Sequence, residues 1–224
     1  MKPHQFAVVL CVASGISISF AEPEKPPAPT SPVVHRVPAF ASWTIQFKYQ
    51  EDEMPAKPLD SRVESLTVTK TNKTVWEQRL LKSGQKEDKW IFDGIQLMTA
   101  DNGKSIVPIA PPTPEEPISP DYSDYRRSDF EELDWVSLST YKGLGTYQGK
   151  PVYLFEVAKS ERKNVACLST ETQLPLYASD GKVVRTFIYN PPPSEPLVPP
   201  AKFLAVVAAH KRGLESLKFH PSPP

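Results

Sequence analysis

The chain has 224 residues, with 26 Lys+Arg against 26 Asp+Glu, 26 prolines, two cysteines and four histidines. Balanced charge supplies no basic field to collect nucleic acid or an anionic membrane surface. So few cysteines and histidines argue against a disulfide framework or a metal cluster.

The N-terminus reads as an export signal. Lys2 is followed by a mostly apolar run from Phe6 to Ile18, and small residues close it at Ser19-Phe20-Ala21. This is the layout of a secretory signal peptide over 1–21, cut before Glu22. The run is broken by Ser14, Gly15 and Ser17 and falls short of the roughly 20 apolar residues of a membrane span. An uncleaved anchor helix is the alternative. Cys11 lies inside the apolar stretch without the small residues that precede a lipidated cysteine, which argues against a lipoprotein signal. No second stretch approaches membrane length, so the expected location is periplasmic or extracellular. Removal of 1–21 takes only Lys2 from the charged residues, leaving 25 basic against 26 acidic and a net charge of −1. The remaining cysteine, Cys167, sits in Val165-Ala166-Cys167-Leu168 and is expected to be a buried, inert thiol.

The prolines mark the domain limits. Six lie in 22–38, six in 108–120, six in 191–200 and three in 221–224. Proline removes a ladder donor, so these clusters exclude sheet interior. Residues 22–38 read as an extended, polyproline-like tether. A single β-rich domain is expected over 39–213, with a proline-rich loop at 108–120 and a tail at 214–224.

Between the clusters the period is two. Trp43, Ile45, Phe47 and Tyr49 alternate with polar residues, giving one buried and one wet face. Val63–Thr71 and Thr74–Leu81 follow around Asn72-Lys73. Lys89–Thr99 reads as one strand bent at Gly94, and Asp101-Asn102-Gly103 offers a hairpin turn into Lys104–Ile109. Tyr141–Tyr147 and Pro151–Val157 flank Gln148-Gly149-Lys150. Asn164–Leu168 and Leu174–Ser179 flank Thr170–Thr172, and Asp180-Gly181 turns into Lys182–Tyr189. Short connections permit only antiparallel neighbours. The predicted fold class is mainly β: a curved antiparallel sheet or half-barrel of about ten strands with two short helices. One helix is expected from an N-cap at Ser128, with Glu131 completing the capping box, to about Trp135 or Val136. The other begins near Pro200 and stops at Gly213.

Catalytic chemistry finds no constellation. His35, His210 and His220 have no partner at metal-ligand spacing. Gly143-Leu144-Gly145 lacks the helix of a phosphate loop and is assigned to a bulge. Glu131, Glu132 and Asp134 stabilise a helix start. Asp121, Asp124 and Asp129 do not match a calcium loop. Asn72-Lys73-Thr74 is a glycosylation sequon by pattern. The reading is a non-enzyme without metal or cofactor.

What remains is an aromatic surplus. Trp43, Phe47, Trp76 and Trp90, with Phe92, Trp135, Phe155 and Phe187, are expected on one concave face. Phe203 and Val207 of the last helix would cover them as a lid. Such a face either forms a filled core or accepts an apolar guest.

One stretch carries a family likeness. It comprises Asp129-Phe130, Leu133-Asp134-Trp135, Tyr141 and Tyr147-Gln148-Gly149-Lys150-Pro151-Val152-Tyr153. It continues through Ala166-Cys167-Leu168-Ser169-Thr170-Glu171-Thr172-Gln173-Leu174-Pro175-Leu176 to Asp180-Gly181. Over roughly 129–190 this resembles the LolA/LolB-like periplasmic lipoprotein carriers. The resemblance implies an open antiparallel half-barrel, helices over an apolar cavity, and a lipoprotein or acyl chain as partner. The helices of that family are longer and earlier in the chain, and its basic cavity residue has no evident counterpart here. Two readings follow: a half-barrel binding an apolar or lipidated guest, or an interaction module of the envelope with a filled core.

Overall fold

A computed structural model of the chain describes residues 16–17, 28–50, 61–72, 74–92, 95–100, 105–109, 129–159 and 162–219. The expected bend at Gly94 and the hairpin turn at Asp101-Asn102-Gly103 lie outside them, as do Lys73, Asp121, Asp124, Ser128, His220 and most of the predicted signal peptide and 108–120 loop.

The described strands form one open antiparallel sheet. In chain order they are β1 (Ile16–Ser17), β2 (Phe40–Tyr49), β3 (Val63–Thr71), β4 (Thr74–Leu81), β5 (Lys86–Phe92) and β6 (Ile95–Ala100), then β7 (Ser105–Ile109), β8 (Tyr141–Tyr147), β9 (Lys150–Lys159), β10 (Arg162–Ser169), β11 (Pro175–Ser179) and β12 (Val183–Asn190). Their spatial order is β1-β8-β9-β10-β11-β12-β2-β3-β4-β5-β6-β7. Two meanders, β2–β7 and β8–β12, therefore stand side by side. The β12–β2 ladder joins them, with Val183 opposite Tyr49 and Asn190 opposite Ser42.

Local chemistry sets the turns. Gln148 (φ 49°) and Gly149 (φ 76°) are the two central residues between Tyr147 and Lys150. Positive φ at both is the primed hairpin that matches strand twist. Gly143 (φ 136°) sits where the β8–β9 register slips, the bulge expected there. Asp180 Oδ1 accepts the N–H groups of Lys182 and Val183 at 2.9 and 2.8 Å, which ties the turn into β12.

Three elements depart from the sequence reading. Lys89–Thr99 is not one strand: β5 and β6 pair as a hairpin, with Trp90 opposite Leu97. The expected helix near residue 130 is instead two single 3-10 turns, Glu131–Leu133 and Leu138–Thr140. The buried side chains explain it. Phe130, Leu133 and Val136 recur every third residue, the 3-10 period, and i→i+3 bonds link their backbones at 3.0 and 2.9 Å. Finally, α1 runs from Ala201 to Phe219, through Gly213. Glycine inside a helix costs only about 1 kcal/mol, too little to stop one by itself. The Pro200 carbonyl accepts from Phe203 and Leu204 at its start.

Register distributes the side chains between two faces. Directly opposed residues share a face, so Trp43, its partners Val68 and Tyr189, and Val68's partner Glu77 all project to one side. We call this the core face. Ser42, Thr69, Trp76 and Trp90 project to the reverse face.

Candidate binding surface

The centre of the core face is apolar and closed. Trp43, Ile45, Phe155, Ala166, Leu168 and Phe187 form its floor. Phe130 lies across it, 5.7 Å from the Trp43 ring and 5.6 Å edge-on to Phe187. Leu133 and Val136 extend the cover on one side. Val33 and Val37 do so on the other, from within the proline-rich segment. That segment, expected as a tether, is over residues 28–38 a strap across the sheet. Trp43 is left 1% exposed and Phe155 fully buried.

Polar groups fasten the strap. Gln173 Nε2 donates to the carbonyls of Thr30 and Val33 at 2.8 and 2.9 Å, and its Oε1 accepts from the Thr30 backbone at 3.1 Å and from the Thr30 hydroxyl. Asp129 Oδ2 accepts the Val37 N–H at 3.0 Å, while its Oδ1 meets Lys70 Nζ at 2.9 Å. One carboxylate thus binds the strap to the 3-10 segment and to β3. Gln173 holds its place with φ 54° at the end of the Thr170–Thr172 turn.

The core face does not stay apolar. Across β4 and β5 it carries Glu77 opposite Lys89 and Arg79 opposite Glu87. Glu77 is 1% exposed, with Lys89 Nζ 3.7 Å from its carboxylate. On the other wing Arg185 shares this face with Phe47, its guanidinium 6.0 Å from the ring centroid and 3.0 Å from Asp180.

The expected single aromatic face is divided. Trp43, Phe47, Trp135, Phe155 and Phe187 gather about the core-face cluster. Trp76, Trp90 and Phe92 lie on the reverse face. There Trp76 stacks on Trp90 at 5.6 Å and donates its Nε1–H to Asp88 at 2.9 Å. Phe203 and Val207 belong to this second cluster, with Phe203 5.9 Å from Trp90. The helix expected as a lid over the aromatic face therefore caps the opposite side. Parity is the cause, because a one-residue offset in register moves a whole strand's set of side chains across the sheet. Between the clusters the reverse face is a hydroxyl ladder. Ser42 meets Thr69 at 3.3 Å, Thr44 meets Thr67 at 3.1 Å, and Asn190 Nδ2 donates to Thr44 at 3.1 Å.

Cys167 is fully buried on the reverse face beside Leu154 and Tyr177. Burial, with the Glu156 charge adding to it, pushes the thiol up to about 12. Burial likewise raises the Tyr189 phenol, helped by Glu132 and Asp129. It remains a neutral donor to the Pro175 carbonyl at 2.8 Å.

The sequence reading did not identify a groove at the strap end of the sheet. It encloses about 550 Å³ between Pro38 and Phe40, the Ser169–Leu174 turn, Leu176, Tyr189 and Pro192. That volume lies within the roughly 300–1,000 Å³ of small-molecule sites. Its residues come from four separate stretches, Lys150-Pro151 among them, so no local motif announces it. Phe130 and the valines of the strap were also missed as core. Their only signal was apolar side chains set in otherwise polar or proline-rich runs.

Among the described residues no helix is long and apolar enough to cross a membrane. No protein-family model matches the chain, and no curated protein matches its sequence. Nine chains of solved structures are similar, among them the following three. The Mycobacterium tuberculosis lipoprotein LppX is 9% identical with a TM-score of 0.40, over 72% of this chain and 90% of its own. The Pseudomonas aeruginosa MucA/MucB complex is 14% identical with a TM-score of 0.36, over 69% of this chain and 53% of the matched chain. A structure of MucB with MucA(peri) is 14% identical with a TM-score of 0.27, over 73% and 55%. The present chain spans about half the length of the chains matched in these two complexes.

Proposed function

We propose that this chain is an exported, non-enzymatic interaction protein of the cell envelope, built on a LolA-like sheet whose apolar face is closed by its own backbone. One observation carries the reading: Phe130, Val33 and Val37 occupy the space over Trp43, Phe155 and Phe187 that an acyl chain would fill. The likeness over 129–190 and the signal-like N-terminus support the envelope setting. An interaction protein works through its surface and needs no internal cavity.

A second reading rests on the groove. Phe40, Leu174, Leu176 and Tyr189 give it apolar walls, and an acyl chain or other apolar guest would lodge there without moving the strap. One experiment separates the two. The full chain is exported from a host, the mature protein purified, and copurifying lipid measured by mass spectrometry alongside titration with a fluorescent fatty acid. The interaction reading expects no stoichiometric lipid and no saturable probe binding. One lipid per protein overturns it in favour of a carrier.

A further inference from the structure

The two edges of the sheet are protected differently. At β7, Pro108 lies within the strand and α1 packs against it. Proline and a covering helix are the usual means of blunting an edge. At β8 the only strand among the described residues beyond the β9 ladder is β1, where Ile16 faces Tyr147 and Ser17 faces Thr146. Those two residues lie in the segment read as the signal peptide. The cleavage before Glu22 that the sequence leads one to expect would remove them and uncover the β8 edge.

Parity shows which backbone groups are uncovered. Tyr147 and Lys150 close a two-residue hairpin, so they are a hydrogen-bonded pair. The next pair, Thr146 and Pro151, is non-bonded, which suits Pro151, a residue without an N–H. Gly145 with Val152 is bonded again, and Leu144 with Tyr153 is not. The N–H and C=O groups of Thr146 and Leu144 therefore point away from β9. The Leu144 side chain, 36% exposed, adds apolar surface there.

We propose that the β8 edge of the mature protein, Tyr141–Tyr147, receives an extended antiparallel segment of another polypeptide by strand addition. That segment carries alternating aliphatic and hydroxyl side chains, as Ile16-Ser17 does. The backbone groups of Leu144 and Thr146 supply the ladder, and the Leu144 side chain supplies apolar contact. The proposal rests on the interaction reading above and names its surface.

The test uses the mature chain, residues 22–224, and a fluorescein-labelled peptide of residues 12–21 as the probe, read by anisotropy. Saturable binding is expected. Leu144→Pro removes an outward N–H without touching the β9 ladder and should weaken binding about tenfold or more, whereas Leu144→Ala should cost only about threefold. Should Leu144→Pro fail to fold, the same question is put to the peptide. Methylating the Ser17 nitrogen should abolish binding to the unaltered protein. Absence of binding, undiminished binding of the methylated peptide, a mature N-terminus that retains residues 1–21, or a dimer lost on Leu144→Pro would each overturn the proposal. Copurified lipid together with peptide binding would sink the filled-face reading and leave the edge site standing. Absence of both would do the reverse.

Discussion

Gln173 Nε2 donates to the Val33 carbonyl at 2.9 Å, across 140 positions of sequence. The same side chain binds both polar groups of the Thr30 backbone, so one amide fixes the path of the strap over the core. Gln173→Ala leaves those strap groups unpaired and should cost about 1–3 kcal/mol. Gln173→Gly loses the same bonds but accepts φ 54° without strain. It should therefore be the milder variant. Urea unfolding of the two variants measures the difference.

Phe130 is the residue that closes the core face. Phe130→Ala should destabilise by about 3–5 kcal/mol. It also leaves a void beside Trp43 and Phe187. The variant should gain fluorescence with an apolar dye under native conditions, where the parent shows little. A variant as stable and as dark as the parent would mean that the strap closes the face unaided.

Cys167 reports on global unfolding. With its thiol buried and pushed up to about 12, the thiolate is scarce and inaccessible at neutral pH. A thiol reagent at pH 8 should leave the native chain of residues 22–224, whose one cysteine is Cys167, unmodified and label one site per chain in denaturant. Rapid labelling of the native protein would place the reverse-face cluster in water.

Asp180 gives a signed pH dependence. Burial alone would raise its carboxyl, but the N–H groups of Lys182 and Val183 and the Arg185 guanidinium outweigh that and hold it below its ordinary value. A group depressed in the folded state stabilises above its unfolded value of about 3.9, and the stabilisation is lost as pH falls through the folded value. Asp180→Asn keeps an acceptor oxygen and removes the charge. Its melting temperature should lie below the parent's at pH 7, and the two should converge as pH falls below the folded value.

The strand pattern was legible because alternation is a local signal. Trp43, Ile45 and Phe47 announce β2 without help from the rest of the chain, and Gln148-Gly149 announces the turn after β8. The face a strand presents is not local. Trp76 and Trp43 look alike in sequence, but the β3 register that links their strands sets them on opposite sides. The path of the strap was illegible for a related reason. Proline runs state that a segment is extended, and only Val33 and Val37 hint that it is also buried. Gln173 gave no signal, because a polar residue after a turn reads as solvated until the distant carbonyls that it serves are known.

The seam between the meanders carries a consequence for the order of events. Every other ladder among β2–β12 joins neighbours in sequence, whereas β12 meets β2 across most of the chain. Hairpins form fast, and pairings that close long loops are slow. The ladder that unites the molecule therefore forms last, after about 190 residues have left the ribosome. Until that ladder closes, the chain is two unjoined halves, a state loose enough to thread through a membrane pore.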